Sequence, residues 1–161
     1  MGKINKGLMT CYSIEWSTPQ WLFDILNIEF NFTLDPCATK ENAKCKSYYT
    51  KQDNGLEKNW DNQVVFVNPP YGSQIKFWIE KSYKESLKNN TVVMLIPSRT
   101  DTKYWHEYVM KAKEIRLIKG RLKFGLSKNG SAPFPSCVVI FSNKKNKNIN
   151  VIGWDVGGYK K

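Results

Sequence analysis

The chain has 161 residues, with 25 Lys+Arg against 14 Asp+Glu and one His, a formal charge of +11. Hydrophobic residues make up 41% and charged residues 24%, which excludes a mainly disordered chain and fits one domain with a sizeable core. No apolar run approaches the ~20 residues of a membrane span, and no secretory apolar stretch follows Met1-Gly2-Lys3-Ile4-Asn5-Lys6, so a soluble protein of an intracellular compartment is expected.

Residues 1–10 read as a loose arm and residues 11–161 as the folded domain. Ser17-Thr18-Pro19-Gln20 opens a helix, with Ser17 or Thr18 as the cap and Pro19 in the first turn. Trp21, Leu22, Ile25 and Leu26 mark its face. Phe30 to Asp35 predicts a short strand stopped by Pro36. Val64 to Val67 is a buried strand stopped by Asn68-Pro69-Pro70. Ser73 caps a helix whose apolar stripe is Ile75, Ile79, Tyr83 and Leu87. Val92 to Ile96 is a second buried strand, and Tyr104, Trp105, Tyr108 and Val109 mark a further helical face. Glu114 to Ile118 and Cys137 to Phe141 are late strands, joined by a loop rich in Gly and Pro.

Continuous apolar strands alternating with amphipathic helices predict an α/β sheet covered on both faces. Ligands of such sheets bind beyond the carboxyl ends of the strands. The residues from Asp35, Asn68 and Pro97 onward are therefore the ones to question. Cys11, Cys37, Cys45 and Cys137 form no C-x-x-C pair, and with His106 alone they offer too few spaced ligands for zinc. Residues 111–161 hold 12 basic and 2 acidic side chains, an asymmetry that points to nucleic acid or to a solvated basic face.

Asn68-Pro69-Pro70-Tyr71 is the sharpest signal. The prolines remove two backbone donors and fix φ, so the Asn68 amide oxygen and the Pro69 carbonyl are suited to accept the two hydrogens of a planar amino group. Tyr71 is suited to stack on the ring that carries it. A turn that merely ends a strand uses the same residues. Asp35 is either a strand-ending Asp or an acceptor for a cation. Asp53 sits in an Asp-Asn-Gly turn or accepts from a ligand. Arg99 follows the Val92 strand on the edge of Asn68, where it takes a phosphate or a base edge, or else pairs with Asp101. Arg121, Lys123, Phe124 and Lys128 belong to a long basic and aromatic segment, suited to tracking phosphates and propping a displaced base.

These segments resemble, in this order, the phage-type DNA N6-adenine methyltransferases. Asn68-Pro69-Pro70-Tyr71 looks like motif IV of the amino-group methyltransferases that use S-adenosyl-L-methionine. Trp16-Ser17-Thr18-Pro19 resembles their N-terminal motif, Leu34-Asp35-Pro36-Cys37-Ala38 their first-strand motif, and Asp53-Asn54-Gly55-Leu56 with Trp60 the segment that reaches the adenine of the cofactor. Gly120-Arg121-Leu122-Lys123-Phe124 completes the set. A Gly-rich first-strand loop and a clear ribose ligand are missing, with Glu41 the one candidate.

The resemblance implies a single-domain, Rossmann-like class I methyltransferase fold: a three-layer, mostly parallel sheet with a C-terminal antiparallel hairpin. It implies methyl transfer from S-adenosyl-L-methionine to N6 of adenine in DNA, without a metal. Asn68, Pro69, Pro70 and Tyr71 take the catalytic part. Trp16, Thr18, Pro19, Asp35, Pro36, Cys37, Ala38 and Asp53 hold the cofactor, and Arg99, Arg121, Lys123, Phe124 and Lys128 hold DNA. Another amino group (in RNA, cytosine N4 or protein glutamine) and an inactive DNA-binding relic of the fold are the alternatives.

Overall fold

The structure is a computed structural model that describes residues 16–124, 131–143 and 148–157. The expected arm at 1–10 and Lys128 lie outside the described residues.

Helix α1 spans Gln20–Phe30. Pro19 stands before it with φ −55° and ψ 134°, and no side chain caps it. The expected Ser17 or Thr18 cap is therefore not used. The helix also runs through Phe30, where a strand is expected. It stops at Asn31 in the left-handed region, φ 54°, a conformation Asn tolerates better than most residues. The Asn27 side chain accepts from the Phe32 N–H at 2.8 Å and fixes the exit. Strand β1 is left with Leu34–Asp35.

Strands β2 (Ser47–Tyr48), β3 (Val64–Val67) and β4 (Thr91–Pro97) follow. Helix α2 (Ile75–Ser86) connects β3 to β4. Its buried stripe runs through Ile75, Trp78, Ile79, Ser82 and Glu85, whereas Leu87 is 53% exposed. The expected stripe fails at its end because Glu85 takes the inward place. Burying that carboxylate is tolerated because Lys81 meets it at 2.6 Å and Lys88 at 3.0 Å, and Asn90 adds a bond at 3.3 Å. Helix α3 is short (Lys103–Glu107) and continues as a 3₁₀ turn, Val109–Lys111.

Strands β5 (Glu114–Ile118), β6 (Ser136–Ser142) and β7 (Asn150–Trp154) complete one seven-stranded sheet of order β2-β1-β3-β4-β6-β5-β7. Only β6 runs against its neighbours, β4 and β5. The other neighbouring pairs among the described residues are parallel. The mostly parallel α/β sheet is thus met in coarse form. The late strands β5 and β6 are consecutive and pair antiparallel, as the expected hairpin requires, with β6 lying between β4 and β5 and β7 added parallel outside β5.

Alternation along the strands assigns the two faces. Phe66 and Arg116 share one face, where Phe23 of α1 packs on Phe66 with ring centroids 5.2 Å apart. Arg116 reaches Glu29 of α1 on that face. Phe141 lies on the other face, against Tyr83 of α2. Helices therefore cover the sheet from both sides. Val65, Phe66, Val67 and the whole of Val92–Ile96 are at most 1% exposed between them, and each such side chain contributes about 1.5–3 kcal/mol by burial. Among the described residues, no helix is long and apolar enough to cross a membrane.

Candidate active site

Because β1, β3 and β4 are parallel, their carboxyl ends leave the sheet on one edge. Asp35 ends β1, Asn68 follows β3 and Arg99 follows β4. A cavity of about 750 Å³ opens there, within the size range of small-molecule sites. Trp16, Thr18, Asp35-Pro36-Cys37-Ala38 and Asn68-Pro69-Pro70 all line it.

Asp35 is 5% exposed. Its carboxylate accepts the backbone N–H groups of Cys37 at 3.5 Å and Lys44 at 3.1 Å. Burial pushes its pKa up from 3.8 to about 6, against the opposing pull of those two bonds and of the Lys44 charge. Burial likewise holds the Cys37 thiol well above its ordinary value. The thiol stays protonated and donates to the backbone carbonyl of Asn68 at 3.2 Å.

The Asn68 amide nitrogen donates to the backbone carbonyl of Trp16 and, at 2.9 Å, to the Thr18 hydroxyl. Its oxygen Oδ1 is buried and has no partner among the described residues. An unsatisfied buried acceptor costs about 1–3 kcal/mol and is the kind of atom that marks a functional site. In this structure it is closed off from solvent, so a ligand reaches it only after neighbouring side chains give way.

Tyr71 is not part of the cavity lining; it lines a second cavity of about 220 Å³, together with Arg99, Tyr104 and Phe134. Its ring is 4% exposed, and its hydroxyl donates to the Leu95 carbonyl at 3.3 Å. Phe134 and Phe124 meet it edge-on at 5.5 and 6.2 Å. Both also meet Trp16, at 5.3 and 5.4 Å. Tyr71 is therefore a covered ring in this structure and not an open shelf. Phe124, expected to prop a displaced base, is 2% exposed and belongs to this aromatic cover.

Two expected cofactor residues stand away from the cavity lining. Pro19 is buried at the start of α1. Asp53 is exposed, and its carboxylate accepts the N–H and hydroxyl of Thr50 at 2.8 and 2.7 Å. The local turn wins because two bonds from Thr50, three residues back, satisfy that carboxylate without a ligand. The same segment still reaches the cavity through Asn54, Gly55 and Leu56. Lys44, Gln74 and Trp78 also line it and carry no distinguishing signal in the sequence. Glu41 is exposed and not part of the lining.

Among the described residues, part of the late basic charge is engaged within the protein. Arg116 binds Glu29 and Glu114 and lies over the rings of Phe30 and Trp154. Lys119 pairs with Asp155 at 2.7 Å, and Lys111 lies over the Tyr83 ring. Arg99, Arg121 and Lys123 are exposed at the surface.

The family profile described as DNA N-6-adenine-methyltransferase (Dam) matches residues 11–153. The chain is 34% identical over 136 residues to the DNA N-6-adenine-methyltransferase of Haemophilus phage HP1 (strain HP1c1), covering 80% of this chain and 79% of that protein. It is 31% identical over 125 residues to the DNA N-6-adenine-methyltransferase of Escherichia phage T1, covering 75% of this chain and 52% of that protein. A putative methyltransferase of Escherichia coli (strain K12), YfdM, is 39% identical over 64 residues, 35% of this chain and 70% of its own. With the profile spanning strand β1, which carries Asp35, and the segment after β3, which carries Asn68, the chain belongs to the DNA N-6-adenine-methyltransferase (Dam) family.

Proposed function

We propose that this chain methylates the N6 amino group of adenine in DNA, using S-adenosyl-L-methionine on a Rossmann-like, class I methyltransferase sheet, in the cytoplasm of a bacterium or phage-infected host. The observation that carries the reading is the buried Oδ1 of Asn68, without a partner among the described residues, in the Asn68-Pro69-Pro70 segment that lines one cavity with Asp35.

The residues present fit such a cofactor. Asp35 offers a carboxylate to a cationic ammonium, a charge-assisted contact. Trp16, Pro36 and Ala38 supply apolar wall, and Asn54, Gly55 and Leu56 bound the cavity on another side. When bound, S-adenosyl-L-methionine supplies a methyl group already activated by its sulfonium. The protein's part is then to position the amine. Asn68 Oδ1 and the Pro69 carbonyl accept the two N6 hydrogens and draw the nitrogen toward tetrahedral geometry, which frees its lone pair. Such positioning carries a large share of a transfer that needs no covalent intermediate. A base in duplex DNA has to leave the stack to reach these acceptors, and the aromatic cover of Phe124 and Phe134 has to yield to it.

Single-turnover methylation of adenine-containing DNA with labelled cofactor, followed by nucleoside analysis, tests the reading. Label is expected in N6-methyladenine. Asn68→Ala is expected to lose about 100–1000-fold in rate, with cofactor affinity kept. Label in cytosine, RNA or protein, or none at all, overturns it.

A further inference from the structure

We infer that Thr18 is a positioning residue for the Asn68 amide: the Trp16 carbonyl, an acceptor only, selects the amide orientation, and the Thr18 hydroxyl takes the second N–H and holds the amide in it. The inference rests on the reading of Asn68 as the acceptor for the target amino group.

A side-chain amide has two nearly isosteric orientations, one presenting oxygen and the other NH2. Only the first accepts a hydrogen from an amino group; the second meets it with another donor. The orientation in this structure is set by what holds the far end. The Trp16 carbonyl is an acceptor only, so it demands the NH2 group. The Thr18 hydroxyl receives the second N–H at 2.9 Å. With both amide hydrogens used, Oδ1 is the group left over, and it is the atom found buried without a partner.

Thr18 is well placed for this task. It is 5% exposed, so water does not compete for its hydroxyl. It is not consumed as a helix cap, since α1 has no side-chain cap bond. It stands 50 residues from Asn68 in sequence, so the bond ties the chain before α1 to the end of β3. The Cys37 thiol steadies the backbone of the same residue from a third segment.

Thr18→Val keeps the shape and removes the acceptor; Thr18→Ser keeps the acceptor. At saturating cofactor, Thr18→Val is expected to lose about 10–100-fold in the single-turnover rate, with the dissociation constant for S-adenosyl-L-methionine near that of the parent. Thr18→Ser is expected to stay near the parent rate. A second readout needs no activity: in 15N-labelled protein, the Asn68 side-chain NH2 pair, identified by its loss in Asn68→Ala, exchanges slowly with water. One of its protons moves upfield in Thr18→Val. The inference is overturned if Thr18→Val methylates at the parent rate, if Thr18→Ser falls as far as Thr18→Val, if only the cofactor dissociation constant changes, or if the Asn68 NH2 pair of the parent exchanges freely. Should the parent protein not methylate adenine at all, the functional reading fails, while the NMR comparison still decides whether Thr18 holds the amide.

Discussion

A Cβ added to Gly55 would lie 2.0 Å from the carbonyl oxygen of Pro36 and 3.2 Å from the Trp78 ring. The segment 53–56 thus approaches the end of β1 backbone to backbone, which only glycine permits. The Gly55 carbonyl also accepts the buried Trp60 indole N–H at 3.0 Å, so the segment has little freedom to retreat. Gly55→Ala is expected to lower stability by about 1–3 kcal/mol, the usual cost of overpacking, and to weaken cofactor binding by displacing Pro36 and Leu56. Urea denaturation and calorimetric titration of the same variant check both effects. An alanine variant as stable as its parent would mean that the two backbones separate without cost.

Asp35 makes stability and binding respond to pH in opposite senses. Its folded pKa of about 6 lies above its ordinary 3.8, so the folded state holds this proton more tightly than the unfolded chain. The contribution to stability is full below about pH 4 and is lost as pH rises to about 6, a swing of roughly 3 kcal/mol. A cationic ligand prefers the ionised carboxylate, so its affinity is expected to rise with pH up to about 6 and then level off. Asp35→Asn is expected to remove both slopes. Parallel unfolding and titration series from pH 4 to 8, each set against the variant, provide the measurement.

The strand–loop edge was legible because its signals are local. Val64–Val67 and Glu114–Ile118 appear with the bounds expected from their apolar runs, and Asn68-Pro69-Pro70 lies where the prolines must stop β3. What escaped the sequence depends on partners distant in the chain. Leu87 and Glu85 exchange the places that periodicity assigns them because Lys81, Lys88 and Asn90 surround the carboxylate. Thr18 reads locally as a cap, yet its hydroxyl serves Asn68. Tyr71 and Phe124 read as aromatics beside a ligand, yet they pack on each other and on Phe134, a partner distant from Tyr71 in the chain. Strand β7 carries no apolar run, since it lies at the sheet edge with Asn150–Gly153 exposed.

The buried setting of Tyr71 separates its two substitutions. Tyr71→Phe removes the 3.3 Å bond to Leu95, a change of about 0.5–1.5 kcal/mol, and keeps the ring. It is expected to fold and to keep most activity. Tyr71→Ala empties a site packed by Phe124 and Phe134 and is expected to lose about 3–5 kcal/mol of stability. Its melting temperature therefore has to be read before its activity. Equal stability of the two variants would contradict this packing.

The basic residues divide into those that hold the protein and those left at its surface, and salt distinguishes them. Arg116 is bidentate to Glu29 at 2.6 and 2.7 Å, bound to Glu114 at 2.6 Å and near the rings of both Phe30 and Trp154. Its guanidinium is committed to α1 and the sheet. Arg121 and Lys123 alternate with the buried Leu122 and Phe124 and are exposed, so this stretch turns its charges outward and its apolar side chains into the aromatic cover. If DNA lies over that cover, these two side chains meet its phosphates. Removing either charge is then expected to reduce the slope of log affinity against log salt by about 0.7–0.9. Arg121→Ala with Lys123→Ala is expected to flatten the slope with an unchanged melting temperature. Arg116→Ala is expected to lower the melting temperature and leave the slope as it was, because its charge is already matched within the fold. DNA affinity measured between 50 and about 200 mM salt, the range over which phosphate pairing changes binding most visibly, decides between the two groups. A slope that falls with Arg116→Ala and stays with the double variant would move the DNA path away from Phe124 and onto the α1 face.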